Sequence, residues 1–254
     1  MIFIWGKKLV YRQFGYVGDF CPICRVPRQF LVRRVGLAGH VYYISAGEGD
    51  LVGHERICQE CDTALDADPA TYAAFSKERL PLAQLLPKTY PNFAVALKER
   101  LALEEKVRDT PAFLSAQERA RLIQLPFVLL SPKVESRLAK MSFDLPSGLT
   151  LLGLFLFVPA ALGLTRAAMP ASVPEEYSVI AVLLLAAGLV IWQVSGVGRR
   201  FVKKRIVPTL AQTLRPLKPT DSELQAVIAE LKKHKHKLGS RLRLADLTAR
   251  MRAD

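Results

Sequence analysis

Cys21-Pro-Ile-Cys24 and Cys58-Gln-Glu-Cys61 hold every cysteine of this 254-residue chain, as two C-x2-C pairs with 33 residues between them. A C-x2-C loop can aim two sulfurs at one metal, and two such loops close a tetrahedral all-sulfur site. Thiolates in that arrangement select Zn²⁺ or iron. Cys21, Cys24, Cys58 and Cys61 are therefore the expected ligands, of structural zinc or, as the alternative, of a rubredoxin-like iron. Four sulfurs fill the coordination and leave no position for an activated water, so no catalysis by this metal is expected. His54 stands four residues before Cys58 and could replace a ligand, but the cysteines already suffice. His40 and His54 read as strand residues.

The 33 intervening residues exceed the usual gap of roughly 15–20 and need structure of their own. Gln29 to Val35 (QFLVRRV) and Val41 to Ser45 (VYYIS) are β-branched and aromatic, a turn follows over residues 46–50, and Leu51 to Ile57 leads back to the second pair. A small antiparallel sheet with a metal knuckle at each end is a zinc ribbon.

Outside this region the composition is divided. The chain carries 36 Lys and Arg against 23 Asp and Glu, a formal charge of +13, yet half of it is hydrophobic and its mean hydropathy is +0.17. Disorder throughout is excluded, because disordered chains pair charge with low hydrophobicity. Two uncharged runs explain the excess, Leu149 to Thr165 and Val179 to Val197. About 20 helical residues cross a hydrocarbon core, so both read as spans. Lys133, Arg137 and Lys140 precede the first; Arg199, Arg200, Lys203, Lys204 and Arg205 follow the second; the connection, residues 166–177, holds one Arg and two Glu. The positive-inside rule then predicts a hairpin with both termini cytoplasmic. The opening MIFIWG is too short an apolar stretch for a signal peptide, and Lys7 and Lys8 follow it instead of preceding it. Neither span contains an ionisable residue of the kind that marks ion pathways, so both read as anchors. In a reducing cytoplasm two disulfides are not expected, and a thioredoxin-type dithiol would need a single pair beside a βαβ pattern.

The segments MIFIWG (1–6), YVGDFCPIC (16–24), GHVYYIS (39–45) and GEGDLVGHERICQEC (47–61) together resemble the N-terminal ribbon of bacterial zinc-ribbon domain-containing membrane proteins of unknown function, over roughly residues 1–62. The resemblance implies metal binding, a bacterial origin and hence an inner-membrane location, and adds no catalytic residue. Such knuckles often continue with Gly after the second cysteine, whereas Arg25 and Asp62 stand here.

Residues 67–142 read as helical: a run from Pro69 to Arg79, a helix over Asn92 to Arg108, and a third over Ala116 to Gln124. This third helix opens on the capping box Ser115–Glu118 and ends before Pro126, and Ser131-Pro132 offers a further start. Residues 199–254 carry 15 Lys and Arg against 5 Asp and Glu. A second capping box, Thr220–Glu223, opens a helix with Leu224, Val227, Ile228 and Leu231 along one face. His234 and His236 stand among Lys232, Lys233, Lys235 and Lys237, whose charge opposes a second cation, so this stretch reads as a solvated face. Gly239-Ser240 is expected to break the chain before a last helix around Leu242 to Met251.

The expected organisation is thus a zinc ribbon (1–66), a cytoplasmic α-helical region (67–142), a two-helix transmembrane hairpin (147–198) and a basic helical tail (199–254). No catalytic constellation, phosphate-binding Gly-rich loop or HExxH is visible, and the expected function is a non-enzymatic protein-interaction module whose partner and oligomeric state the sequence does not identify. Anionic lipid headgroups are the nearest partner for the tail. The alternative is a membrane-tethered nucleic-acid binder using Arg25, Arg28, Arg33 and Arg34 with the tail, although the tail offers only Phe201 for stacking on bases.

Overall fold

The computed structural model describes residues 5–42, 44–45, 47–139, 148–150, 152–154, 157–158, 160, 163–164 and 175–253. An antiparallel sheet comes first, from β1 (Trp5–Cys21), β2 (Val26–Val41), β3 (Ile44–Ser45), β4 (Asp50–Cys58) and β5 (Ala64–Asp66). Its order is β1-β2-β4-β5, with β3 folded back on the end of β2. Each C-x2-C pair forms the turn between two strands: the first joins β1 to β2, the second joins β4 to β5.

The sheet is longer than the sequence reading allowed. β1 pairs with β2 from Cys21↔Val26 out to Trp5↔Val41. The predicted strand over residues 41–45 is instead a tight reversal, in which Tyr42 takes a left-handed φ of 48° and Ile44 pairs back onto Val41. β1 is buried only toward its cysteine end, at Val17, Phe20 and Cys21. There Gly18 N–H donates to Thr89 Oγ1 at 3.0 Å, which fixes α1 (Leu82–Thr89) on the sheet.

Three helical expectations need correction. From Pro69 only one 3₁₀ turn forms, Pro69–Thr71, capped by Asp68. The chain beyond it is held by a run of edge-to-face rings, Tyr72 on Tyr90 and Tyr90 on Phe93. The helix over residues 92–108 breaks at Leu97 into α2 (Phe93–Ala96) and α3 (Lys98–Asp109). The third helix does not end at Pro126: α4 runs Ala116–Ala139 through both Pro126 and Pro132. Each internal Pro forfeits one backbone hydrogen bond, but Leu122, Ile123, Phe127, Leu130 and Val134 form one buried face across both, and that burial outweighs the loss. The capping box Ser115–Glu118 forms as expected.

α5 (Glu175–Phe201) continues through a five-residue π-helical turn, Val202–Ile206, into α6 (Val207–Leu214). It is long and apolar enough to cross a membrane, and no residue of its most apolar stretch is buried. The described residues of 148–164 are helical. The rest of the first predicted span and its connection through residue 174 lie outside the described residues, as do residues 1–4.

α7 (Asp221–Lys233), α8 (Lys237–Arg241) and α9 (Leu244–Arg252) complete the chain. Gly239 does not break a helix but sits inside α8, where a Cβ would lie 2.8 Å from Leu231 Cβ; its role is close packing. Leu210, Leu214, Leu224, Leu238 and Leu247 are all fully buried. They belong to one core that also takes in Phe30, Val32 and Phe127. The basic C-terminal segment is therefore packed on the ribbon and α4, with its charges on the outside. His234 is exposed, whereas His236 Nδ1 lies 3.2 Å from Glu135 of α4, so that the predicted solvated face is in part a docking contact.

Arg119 of α4 donates to Glu223 at 2.7 Å, and Glu223 completes the second capping box with Thr220. The Arg119 hydrogen bond, followed by the Thr220 contacts, holds the Glu223 carboxyl down to about 2, against 4.5 unperturbed. A depressed carboxyl stabilises the fold above its unfolded value, and that contribution is lost as pH falls from about 4.5 toward 2. Because the pair is half-buried at the surface and screened by solvent, its worth is about 1 kcal/mol or less. Melting curves of the full chain in detergent should show Glu223→Gln less stable than wild type at pH 7, with the difference closing over that acid window.

Candidate metal centre

Both knuckles follow the same local plan. Arg25 N–H donates to Cys21 O at 2.7 Å, and Asp62 N–H donates to Cys58 O at 3.0 Å. Each bond closes a turn whose last residue is left-handed, with φ of 61° at Arg25 and 52° at Asp62. These are the two positions where glycine was missing from the sequence pattern. A side chain in that conformation costs roughly 1–2 kcal/mol, so something must hold it there.

At Arg25 the side chain supplies the reason. Its Nε donates to Glu104 Oε2 of α3 at 2.8 Å, and both groups are buried. Arg100 binds the other oxygen of Glu104 at 2.6 Å. Arg25 Nη1 reaches Thr213 O of α6 at 3.4 Å, and Thr213 Oγ1 donates to Ile23 O inside the first knuckle at 2.7 Å. Burial pulls the Arg25 guanidinium below its ordinary range, and Glu104 opposes that shift. The second knuckle is gripped from α4, where Lys133 Nζ donates to Cys61 O at 3.0 Å and to Asp62 O at 2.9 Å. Burial lowers the Lys133 ammonium, with Asp62 and Cys61 pulling the other way. Sequence reasoning missed Arg25, Glu104, Lys133 and Thr213 as parts of the site. The one available signal was the non-glycine at position 25.

The four sulfurs converge. Cys21 Sγ lies 3.7 Å from Cys61 Sγ, and Cys24 Sγ lies 3.9 Å from Cys58 Sγ. All four sit within 4.8 Å of one another, with Cys21 and Cys58 buried and the other two half-buried. A tetrahedron with metal–sulfur bonds of about 2.3 Å has edges of about 3.8 Å, so the donor set fits one metal ion. Thiols this close do not titrate independently. Hydrogen bonds with the other cysteines, Cys24 first, together with burial, push Cys21 up. For Cys24 the bond with Cys21 pulls down, but those with Cys58 and Cys61, with burial, outweigh it. Bonds from Cys21 and Cys24 bring Cys58 down to about 7 and hold Cys61 lower still. A cation at the centre removes this conflict by favouring the thiolate at every position.

His54 stands in β4 against the ring of Phe14, 5.4 Å between centroids. It does not belong to the sulfur cluster, and His40 lies in β2. Of the arginines suggested for nucleic acid, Arg25 is buried against Glu104, Arg33 pairs with Glu55 across the strands, and Arg34 donates to the carbonyls of Glu48 and Gly49. Comparison of the chain with protein-family models, curated proteins and solved structures returns no significant match.

Replacing either left-handed residue by Gly removes the same backbone strain, but only Arg25 has a buried partner. Asp62→Gly should be neutral or stabilising by about 0.5–1 kcal/mol, whereas Arg25→Gly should destabilise by about 3 kcal/mol because the buried Glu104 loses its buried cation and keeps only the part-exposed Arg100. In detergent the melting temperature of Asp62→Gly should then stay level or rise, while that of Arg25→Gly falls.

Proposed function

We propose that the chain is a membrane-anchored cytoplasmic zinc-ribbon protein that acts as a non-enzymatic interaction module, binding one structural Zn²⁺ through Cys21, Cys24, Cys58 and Cys61. The fit of the sulfur set supports the metal, and a filled all-sulfur shell supports a structural role over a hydrolytic one. For the membrane, α5 supplies one span and the uncharged run at 149–165 a second, with the basic flanks at Lys133–Lys140 and Arg199–Arg205 favouring cytoplasmic termini in a bacterial inner membrane. Basic residues beside that membrane suit anionic headgroups.

The observation that carries the interaction reading is the far end of the sheet. Trp5 is 82% exposed and Ile44 77%, and Val41, Tyr42, Leu51 and Val52 are exposed beside them. Trp5, Val41, Tyr42 and Ile44 line one apolar depression. Fifteen residues of β1 separate Trp5 from Cys21, which puts this surface about 50 Å from the sulfurs. A contiguous apolar patch of that kind marks a protein, ligand or membrane contact, and its place at the far end of the sheet from the sulfurs suits a docking protein. The nucleic-acid alternative is weakened by the engagement of Arg25, Arg33 and Arg34.

Two measurements test the proposal. Full-length protein purified in detergent should carry about one zinc per chain, colourless, whereas bound iron would absorb visible light; a folded protein with neither metal removes the proposal's first half. A photo-crosslinking residue at position 44, introduced in cells, should give a discrete protein adduct that Trp5→Ser abolishes. The same probe at Val95, which is also 80% exposed, should give none. Equal labelling at both positions, accompanied by a salt-dependent gel shift of the full-length protein with nucleic acid, would overturn the interaction reading.

A further inference from the structure

The end of α5 opens into a cleft of about 160 Å³ with Val202 and Val207 in its wall and Arg199, Arg200, Lys203, Arg241, Arg243 and Asp246 around them. Five cationic side chains thus face a space that contains one carboxylate. Three separate parts of the chain build it: the last turn of α5, the π-helical turn after it, and the α8–α9 corner. Arg241 reaches across the helix at Gly198, where a Cβ would lie 3.5 Å from Arg241 Nε and 2.9 Å from Leu138 of α4. Lys203 Nζ ties the walls together at 3.1 Å from Asp246. Arg200 folds back to donate to Gln193 Oε1 at 3.0 Å, and Arg199, Lys203, Arg241 and Arg243 complete the cationic lining. α9 starts at this corner, and no side chain caps it, so the positive end of its backbone adds to the same field.

The depth of the cleft identifies the ligand chemistry. α5 is uncharged from Val179 to Val197, and at 1.5 Å per residue Arg199 to Lys203 rise about 3–9 Å beyond it. The headgroup layer occupies roughly the first 5–8 Å outside the hydrocarbon. Guanidinium forks are matched to phosphate oxygens. We propose that this cleft binds the phosphate of an anionic phospholipid headgroup, a specific site in place of diffuse attraction to the leaflet. The lipid source of that phosphate rests on the reading of α5 as a membrane span; a soluble phosphate would offer the cleft the same chemistry.

The test uses delipidated full-length protein in an uncharged detergent, titrated with short-chain phosphatidylglycerol, phosphatidylcholine or inorganic phosphate and followed by calorimetry. Phosphatidylglycerol should bind at least about tenfold more tightly than phosphatidylcholine, and the Arg241→Gln/Arg243→Gln pair should lose at least about tenfold of that affinity. Lys232→Gln/Lys233→Gln, an equal charge change on exposed residues of α7, should lose less than about twofold. Lys203→Gln is the second probe should the arginine pair not fold, and it should weaken phosphatidylglycerol by about threefold or more. Equal losses in the arginine and lysine pairs, or no preference among the three ligands, overturn the site. Inorganic phosphate binding that the arginine pair abolishes, without phosphatidylglycerol binding, supports the phosphate cleft and overturns the lipid source. Alkaline extraction of membranes reports separately on the span: release of the protein would sink the reading of α5 while leaving the phosphate titration to judge the cleft.

Discussion

Four sulfurs held within 4.8 Å of one another impose the condition that the rest of this fold answers to. As thiols they can share only a few protons and hydrogen bonds among themselves; as thiolates they repel unless a cation sits between them. Either way the two knuckles must be brought together and kept together. β2 lies between β1 and β4 and links the strands that bear them. The buried Arg25–Glu104 pair fixes the first from α3, and Lys133 fixes the second from α4. An ion pair that deep contributes little net stability if its desolvation is counted. Its effect here is on position, since it commits Arg25 to a left-handed backbone that closes the turn around Cys21 and Cys24.

The ligand set was legible because C-x2-C spacing is a local property, fixed by the reach of two side chains from one turn. The shape of the sheet was only partly so. Val41 to Ser45 carries strand-forming residues throughout, yet Tyr42 turns left-handed and the strand folds over, a decision made by pairing with β2 and not by propensity. α4 shows the converse. Pro126 and Pro132 are strong local stop signals, and a face built from Leu122, Phe127, Leu130 and Val134 overrides them because it is buried along its length. Arg25, Lys133 and Thr213 were invisible as site residues for a related reason: their contacts span from 71 to 190 residues of chain, and no periodicity reports on them.

The basic C-terminal segment, residues 199–254, illustrates how charge counts mislead when read without packing. Its 15 Lys and Arg suggest a polyelectrolyte arm, but its leucines belong to the same core as Phe30 of the ribbon and Phe127 of α4. Sheet, α4 and the last helices therefore share one hydrophobic interior, and the cations are what remains on its outer surface. Some of them, at the α5 and α8–α9 corner, converge instead of dispersing. That convergence depends on folding, because Arg199 and Arg241 are 42 residues apart in sequence.

The π-helical turn at Val202–Ile206 lies between a helix that exposes large apolar residues such as Leu184, Leu185 and Ile191 and one that buries a face at Val207, Leu210, Ala211 and Leu214. Each residue added to an α-helix advances the side chains by about 100° around its axis, and a wider turn inserts such a phase step without interrupting the rod. The turn thus works as an angular offset that sets which side of α6 meets the first knuckle, where Thr213 donates to Ile23 O. Length is consequently under tighter constraint than composition between Gly198 and Thr213. Lys203, Lys204 and Arg205 could exchange for other cations with the angle intact, whereas gaining or losing one residue would rotate Thr213 away from the first cysteine knuckle.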